Sequence, residues 1–239
     1  MSRNVDWDLT AVFLDLDDTL SDELHHMRSA YAASLRQLSN RLTPWQAEEA
    51  LDRYMEIATD LYRRNAWDEL TREQRLELAL KRANVAPDAQ LPAAIVRGFF
   101  KNYHEGVRLL PGAKRLLNAA KRYRTCLITN GETDRQRQKL RRLSLDKCFD
   151  HTLISEEIGI RKPDPAIFRR ALDLTDANPD QAVMIGDNTI ADIAGAAALG
   201  IRTIWVNLHS WEYPPKTAMP DCQVPDAAAA ATLLETLTA

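Results

Sequence analysis

Four apolar residues, Ala11-Val12-Phe13-Leu14, run directly into Asp15-Leu16-Asp17-Asp18-Thr19-Leu20, and few folds accept that junction. A bulky, partly β-branched run of this length reads as a strand covered on both faces, as in a parallel sheet. Carboxylates cannot follow it into such a core unpaired, because desolvating a charge costs far more than burying a methylene returns. The acids therefore belong at the carboxyl end of the strand, where open α/β sheets place their ligands. Asp15 and Asp17 stand two apart, so in extended backbone they project to the same side. Like charges held together tolerate a cation between them, and oxygen donors of this kind suit magnesium. The competing reading makes Asp17 and Asp18 a turn and helix cap, a frequent use of aspartate.

The remaining sequence narrows the class. With 239 residues the chain can build one large or two modest domains, each with its own core. A net charge of -3 gives no electrostatic reason to expect a nucleic acid or membrane surface as partner. Cys126, Cys148 and Cys222 are odd in number and far apart, which predicts reduced cysteines in a cytoplasmic protein. The N-terminus is polar up to Leu9, so no signal peptide is expected. No apolar run approaches the roughly 18 residues that span a bilayer.

Downstream of the acids, Leu24, Met27, Tyr31, Leu35 and Leu38 recur at three- and four-residue steps on one helix face. Thr43-Pro44-Trp45-Gln46 and Thr71-Arg72-Glu73-Gln74 are capping boxes that open two further helices, and Pro92 leads into a fourth. We expect residues 22–105 to form an inserted four-helix domain, with 1–21 and 106–239 forming an α/β core. Strand-type sequence resumes at Thr125–Thr129, ending in Asn130-Gly131, and again at His151–Ser155. Between them lies a strongly basic helix from Thr133 to about Leu143, whose charges read as a solvated face. Gly159–Pro165 predicts a rigid loop carrying Lys162, with Asp164 capping the next helix. A fourth strand, Gln181–Ile185, closes in Gly186-Asp187-Asn188; a helix with Asp192 in its first turn, a fifth strand over 201–206, a short strand near Cys222 and a closing helix complete the core.

Parallel-sheet connections bring strand carboxyl ends to one edge, so Asp15, Asp17, Thr129, Asn130, Lys162, Asp187 and Asp192 should meet there. Each has an ordinary explanation alone: Lys162 as a surface charge, Thr129 as a β-branched strand residue, Asp187 as a turn former, Asp192 as a helix N-terminal acid. Together they form a place for a divalent metal beside a phosphate.

Asp15-Leu16-Asp17-Asp18-Thr19, Thr129-Asn130-Gly131, Lys162-Pro163-Asp164 and Gly186-Asp187-Asn188 with Asp192 resemble the four motifs of the haloacid dehalogenase superfamily. The resemblance covers about Val12 to Val206 and implies a Rossmann-like core with a helical cap. For phosphatase members it implies Asp15 as the nucleophile that forms an aspartyl-phosphate, and Asp17 as general acid and then base. Thr129, Asn130 and Gly131 would hold the phosphate and Lys162 would neutralise charge. Magnesium would bind Asp15, the backbone carbonyl of Asp17, and Asp187, with Asp192 and Thr19 supporting these ligands from behind. The substrate would be a small-molecule phosphate ester and the protein a monomer or homodimer.

Weaker similarity, in Gln136 with Lys139-Leu140, Ser155 to Phe168 and Thr203 to Asn207, points toward pyrimidine nucleotidases and sialic-acid 9-phosphate phosphatases. Cap residues such as Arg28, Tyr31, Arg64 or Trp67 would set the substrate, although Tyr31 and Trp67 equally suit a bundle core. Dehalogenases of the superfamily lack the second aspartate of the first motif, which is present here as Asp17. A phosphomutase shares all four motifs and stays open. A receiver domain would place its acidic pair before the acceptor aspartate, the reverse of this order, and a silent binding protein would be expected to have lost some of these groups.

Overall fold

The computed structural model describes residues 7–38, 40–86, 88–215 and 217–237, with side chains for all of these except 104 and 105. The polar start of the chain, residues 1–6, lies outside them. In chain order the elements are β1 (Ala11–Leu14), α1 (Glu23–Arg36), α2 (Pro44–Arg63), α3 (Arg72–Arg82), α4 (Leu91–Gly106), α5 (Ala113–Ala120), β2 (Arg124–Thr129) and α6 (Thr133–Arg142). They continue as β3 (His151–Ile154), α7 (Ser155–Ile158), α8 (Pro165–Thr175), β4 (Ala182–Gly186), a π-helical turn (Thr189–Ala194), α9 (Gly195–Ala197), β5 (Arg202–Val206), β6 (Cys222–Val224) and α10 (Ala227–Thr236). The chain divides into two compact units, one running to Asp22 and resuming at Arg108, the other Glu23–Val107.

In the first unit, six parallel strands lie in the order β3-β2-β1-β4-β5-β6 among the described residues. That is the Rossmann order, and the chain reverses direction across the sheet at β1. All four β1 residues are buried because the strand feeds two cores at once. Val12 and Leu14 join Leu116, Leu117 and Leu234 on one face, while Ala11 and Phe13 join Ile167, Phe168 and Ala171 on the other. The pairing sets Leu14 opposite Leu127 and Ile185, so the residues that follow β1, β2 and β4 emerge at one edge. The chain leaves and re-enters this unit through paired segments: Leu110 N–H donates to Leu20 O (2.9 Å) and Asp22 N–H to Arg108 O (3.1 Å).

The second unit contains α1 to α4 around its own core of Tyr31, Tyr54, Ile95 and Phe99. Both capping boxes form: Thr43 and Gln46, then Thr71 and Gln74, exchange side-chain and backbone bonds at the starts of α2 and α3. No described helix is long and apolar enough to cross a membrane.

One element departs from its expected form. The helix after β4 begins as a π-helical turn, because Asn188 accepts from both Ile190 N (3.0 Å) and Ala191 N (2.8 Å) while Asp192 folds back onto Asn188 N (2.9 Å). Ile190, the second residue of this turn, is half-exposed. Widened turns of this kind recur where a side chain must be aimed at a site.

Candidate active site

Asp15 is the first residue past β1, and its N–H donates to Ile185 O (3.0 Å), which extends the sheet ladder by one bond. Its side chain is buried, and Oδ1 accepts from Lys162 Nζ at 2.6 Å. The same ammonium donates to Ile128 O (2.7 Å) and lies 2.6 Å from Asp192 Oδ1. Lys162, expected to point from a rigid loop, is only 2% exposed. Its backbone is gripped by Asn130, whose Nδ2 donates to Lys162 O and whose Oδ1 accepts from Lys162 N, both at 2.9 Å.

Burial alone disfavours the Lys162 ammonium, but the Asp15 and Asp192 carboxylates outweigh it and its pKa is raised. For Asp15, burial pushes the carboxyl up to about 7; Lys162 opposes the rise, whereas Asp192 and Asp17 add to it.

Asp187 follows Gly186 at the end of β4 and is buried. Its backbone carbonyl accepts from Trp205 Nε1 at 2.8 Å, so the buried indole on β5 fixes the peptide that carries the acid. Asp15, Asp187 and Asp192 each present a carboxylate oxygen within 4.8 Å of the others. Among the described residues Asp15 Oδ2 is buried with no hydrogen-bond partner. An orphaned, anionic oxygen inside a protein is costly, and a hard divalent cation with a taste for carboxylates would satisfy it. Asp192 differs from the other two, because Oδ1 is ion-paired to Lys162 and Oδ2 accepts from Asn188 N. Its place is therefore to brace the lysine and the β4 turn.

Asp17 sits in the loop beyond β1 and is the more open of the two alternating acids. Its Oδ1 accepts from Lys139 Nζ (2.5 Å) and Ser21 Oγ (3.2 Å), and its Oδ2 from Gln136 Nε2 (3.0 Å). The same Gln136 nitrogen reaches Thr129 Oγ1 at 2.6 Å. Asp18 takes a left-handed conformation at φ 56°, its N–H donates to Ser21 O (2.7 Å), and the next residue, Thr19, buries its hydroxyl without a hydrogen-bond partner among the described residues.

The strand ends thus bring Asp15, Lys162, Asp187 and Asp192 together, with Thr129 and Asp17 joined through Gln136. The side chain of Asn130 and the N–H of Gly131, both expected near the phosphate, have protein partners. The Asn130 carboxamide holds the Lys162 backbone, and Gly131 N–H donates to Ser155 Oγ (2.9 Å). Of the proposed specificity residues, Tyr31 is in the bundle core, accepting from Tyr54 OH at 2.7 Å. Arg28 is paired with Glu48 and Asp52, and Arg64 with Asp60 and Glu69. Trp67 lies under the Arg75 guanidinium, 3.8 Å from ring centroid to Cζ.

The reading of α6 as a solvated basic face needs a correction at Lys139, which is buried with its ammonium on Asp17. Gln136, Lys139 and Leu140 share one side of the helix at i, i+3 and i+4, and that side faces inward. Only Leu140 is apolar, so hydrophobic periodicity could not reveal it. Trp205 was legible only as an apolar strand residue.

Comparison with known proteins agrees with this arrangement. Residues 9–200 match the profile of haloacid dehalogenase-like hydrolases. The chain is 30% identical over 199 residues to the glyceraldehyde 3-phosphate phosphatase of Pyrococcus furiosus, covering 82% of this chain and 80% of that one. It is 32% identical over 215 residues to the pyrimidine 5'-nucleotidase YjjG of Escherichia coli, with 87% and 89% covered. The HAD-hydrolase YfnB from Bacillus subtilis, solved bound to magnesium, shares the fold at a TM-score of 0.73 and 24% identity, over 95% of this chain and 98% of that one. Sheet order, strand-end chemistry and these matches agree, and the chain belongs to the haloacid dehalogenase-like hydrolase family.

Proposed function

We propose that this protein is a magnesium-dependent phosphatase that hydrolyses a small-molecule phosphate monoester through an aspartyl-phosphate on Asp15. The observation that carries the reading is the buried Asp15 carboxylate, tied through one oxygen to Lys162 and left with its other oxygen unpartnered beside Asp187. The relatives named as phosphatases and a nucleotidase place the reaction class on monoesters. They do not agree on one substrate.

A phosphate monoester is an anion, and the site already holds Asp15, Asp17, Asp187 and Asp192 against the ammonium groups of Lys139 and Lys162. Attack by a carboxylate in such surroundings requires that the repulsion be cancelled. Asp15, Asp187 and the Asp17 carbonyl would hold magnesium, which supplies Lewis-acid charge neutralisation at the phosphoryl oxygens. Asp15 then attacks phosphorus, forming the acyl phosphate as the ester oxygen departs. Lys162 balances charge on Asp15 and on the transferring group. Asp17 gives its proton to the leaving oxygen and, as carboxylate, takes one from the water that cleaves the acyl phosphate, so acid and base alternate on one residue. Thr129 offers its hydroxyl to the phosphate, while Asn130 keeps Lys162 in register. Asp192 supports the lysine and the turn after β4.

We assign the chemistry to the α/β unit and substrate choice to the helical unit as its cap. The phosphomutase reading uses the same groups and would appear as transfer to a sugar phosphate in preference to water.

The test is hydrolysis of p-nitrophenyl phosphate by the purified chain with magnesium and after chelation. Turnover that needs magnesium supports the reading. Turnover unaffected by chelation, or none across a panel of phosphate monoesters, overturns it.

A further inference from the structure

We propose that Lys139, with Gln136, is a positioning residue that fixes the Asp17 carboxyl for proton transfer, an inference that rests on the acid–base role assigned to Asp17 above.

A lysine is seldom buried without a reason, because removing an ammonium from water is repaid only by close, well-aligned partners. Lys139 is 4% exposed, and its Nζ lies 2.5 Å from Asp17 Oδ1. One helical turn earlier, Gln136 is as deeply buried and binds the other oxygen, Oδ2, at 3.0 Å. A carboxylate held through one oxygen can still rotate about its last bond. Held through both, from two residues of one helix, it cannot turn without breaking both contacts. The two oxygens are not equivalent. Among the described residues, Oδ1 carries Lys139 and Ser21, whereas Oδ2 carries only the Gln136 amide, which is shared with Thr129 Oγ1 (2.6 Å) and Asn130 O (3.2 Å). Oδ2 therefore has the open lone pair, and it is the atom that would pass the proton to the leaving oxygen and later receive one from water. Gln136 also ties that atom to the hydroxyl assigned to the phosphate, so α6 sets the spacing between the acid–base group and the phosphorus it serves. Lys139 lies in α6, the helix after β2, and the inward face of that helix brings its ammonium to residue 17 across a sequence separation of 122.

The experiment measures kcat/KM for phenyl phosphate and p-nitrophenyl phosphate, with magnesium, in the full chain and in Lys139→Met, Asp17→Asn and the double variant. kcat/KM covers the steps up to phosphoryl transfer to the enzyme. Nitrophenolate leaves with little help, while phenolate needs its proton, so loss of a well-placed acid falls mainly on phenyl phosphate. We expect Lys139→Met to lower kcat/KM for phenyl phosphate by about tenfold or more, with a clearly smaller loss for p-nitrophenyl phosphate. KM should change little, and Lys139→Met should add almost nothing in the Asp17→Asn background. A merely structural lysine would depress both substrates alike and would act additively with Asp17→Asn; either result overturns the proposal. Lys139→Gln, which keeps a donor of similar length, is run in parallel, so that misfolding of one variant still leaves the same comparison to be made. If Asp17→Asn itself keeps full activity on both esters, the acid–base assignment fails and the inference goes with it. If Asp17→Asn is impaired and Lys139→Met is not, the inference alone fails.

Discussion

At the scale of single residues, the site depends on the space left by one missing side chain. A Cβ built on Gly186 would meet Asp192 Oδ2 at 2.4 Å and its Cγ at 2.5 Å. Asp192 cannot give way, because its two oxygens hold Lys162 Nζ and Asn188 N. Gly186→Ala should therefore push Asp192 off the lysine, leaving a buried charge poorly paired. We predict a stability loss of about 2 to 4 kcal/mol with a large fall in turnover, measured by thermal unfolding and steady-state kinetics. Asp15, Lys162 and Asp187 were legible in the sequence because charged residues at the ends of apolar runs have few places to go. Lys139 was not, because a lysine on a basic helix looks like every other solvated lysine until the helix is packed. The Asn130 carboxamide was equally hidden in the sequence: it closes a two-bond clamp with the backbone of Lys162, thirty-two residues on, which the folded chain alone brings within reach.

At the scale of elements, two strand pairs are fastened by the same device. Thr125, second in β2, donates N–H (2.7 Å) and hydroxyl (3.0 Å) to Asp150 Oδ2, and Asp150 N–H returns a bond to the Thr125 hydroxyl (3.0 Å). Thr203, second in β5, repeats this with Asp221 at 2.9, 3.1 and 3.1 Å. Each aspartate stands just before the neighbouring strand, β3 or β6, so the clamps set where the sheet's outer pairs begin. The Thr125 N–H, with its hydroxyl adding to it, holds the Asp150 carboxyl below its ordinary pKa. A depressed carboxylate contributes stability above the unfolded value, about 4, and that stability is lost as pH falls through the folded value. Asp150→Asn should therefore show a flatter fall in unfolding temperature from neutral to acid pH than the parent chain. Asp150→Ala, which leaves the Thr125 N–H without its acceptor, should cost about 1 to 2 kcal/mol at neutral pH. The strands themselves were readable from apolar runs and turn residues, as were the helices from their caps. The π-helical turn after β4 was not, because its widened geometry comes from Asn188 and Asp192 competing for the same backbone groups.

At the scale of the whole molecule, the cluster of acids makes folding and cation binding interdependent. Charges gathered at one sheet edge repel in the cation-free protein, so a divalent ion that binds the folded state should stabilise it by mass action. We predict that magnesium raises the unfolding temperature of the parent chain, by an amount equivalent to about 2.7 kcal/mol at a hundred times the dissociation constant. Asp187→Asn should remove most of that increase, as read by calorimetry across a magnesium titration. The two-unit division was visible in outline, since strand-type sequence stops after the first motif and resumes only after four amphipathic helices. The units fall at Glu23–Val107 and its complement, where the sequence had suggested 22–105. The difference arises because Asp22 and Arg108 are bonded to each other as part of the α/β unit.

The account turns on Asp15 as the atom donor to phosphorus, and the most direct measurement is turnover of p-nitrophenyl phosphate with saturating magnesium by Asp15→Asn beside the parent chain. A buried amide cannot replace the carboxylate as nucleophile, so kcat should fall by at least about a thousandfold while the protein still unfolds cooperatively. A folded Asp15→Asn protein that retains kcat within a few-fold of the parent would contradict it.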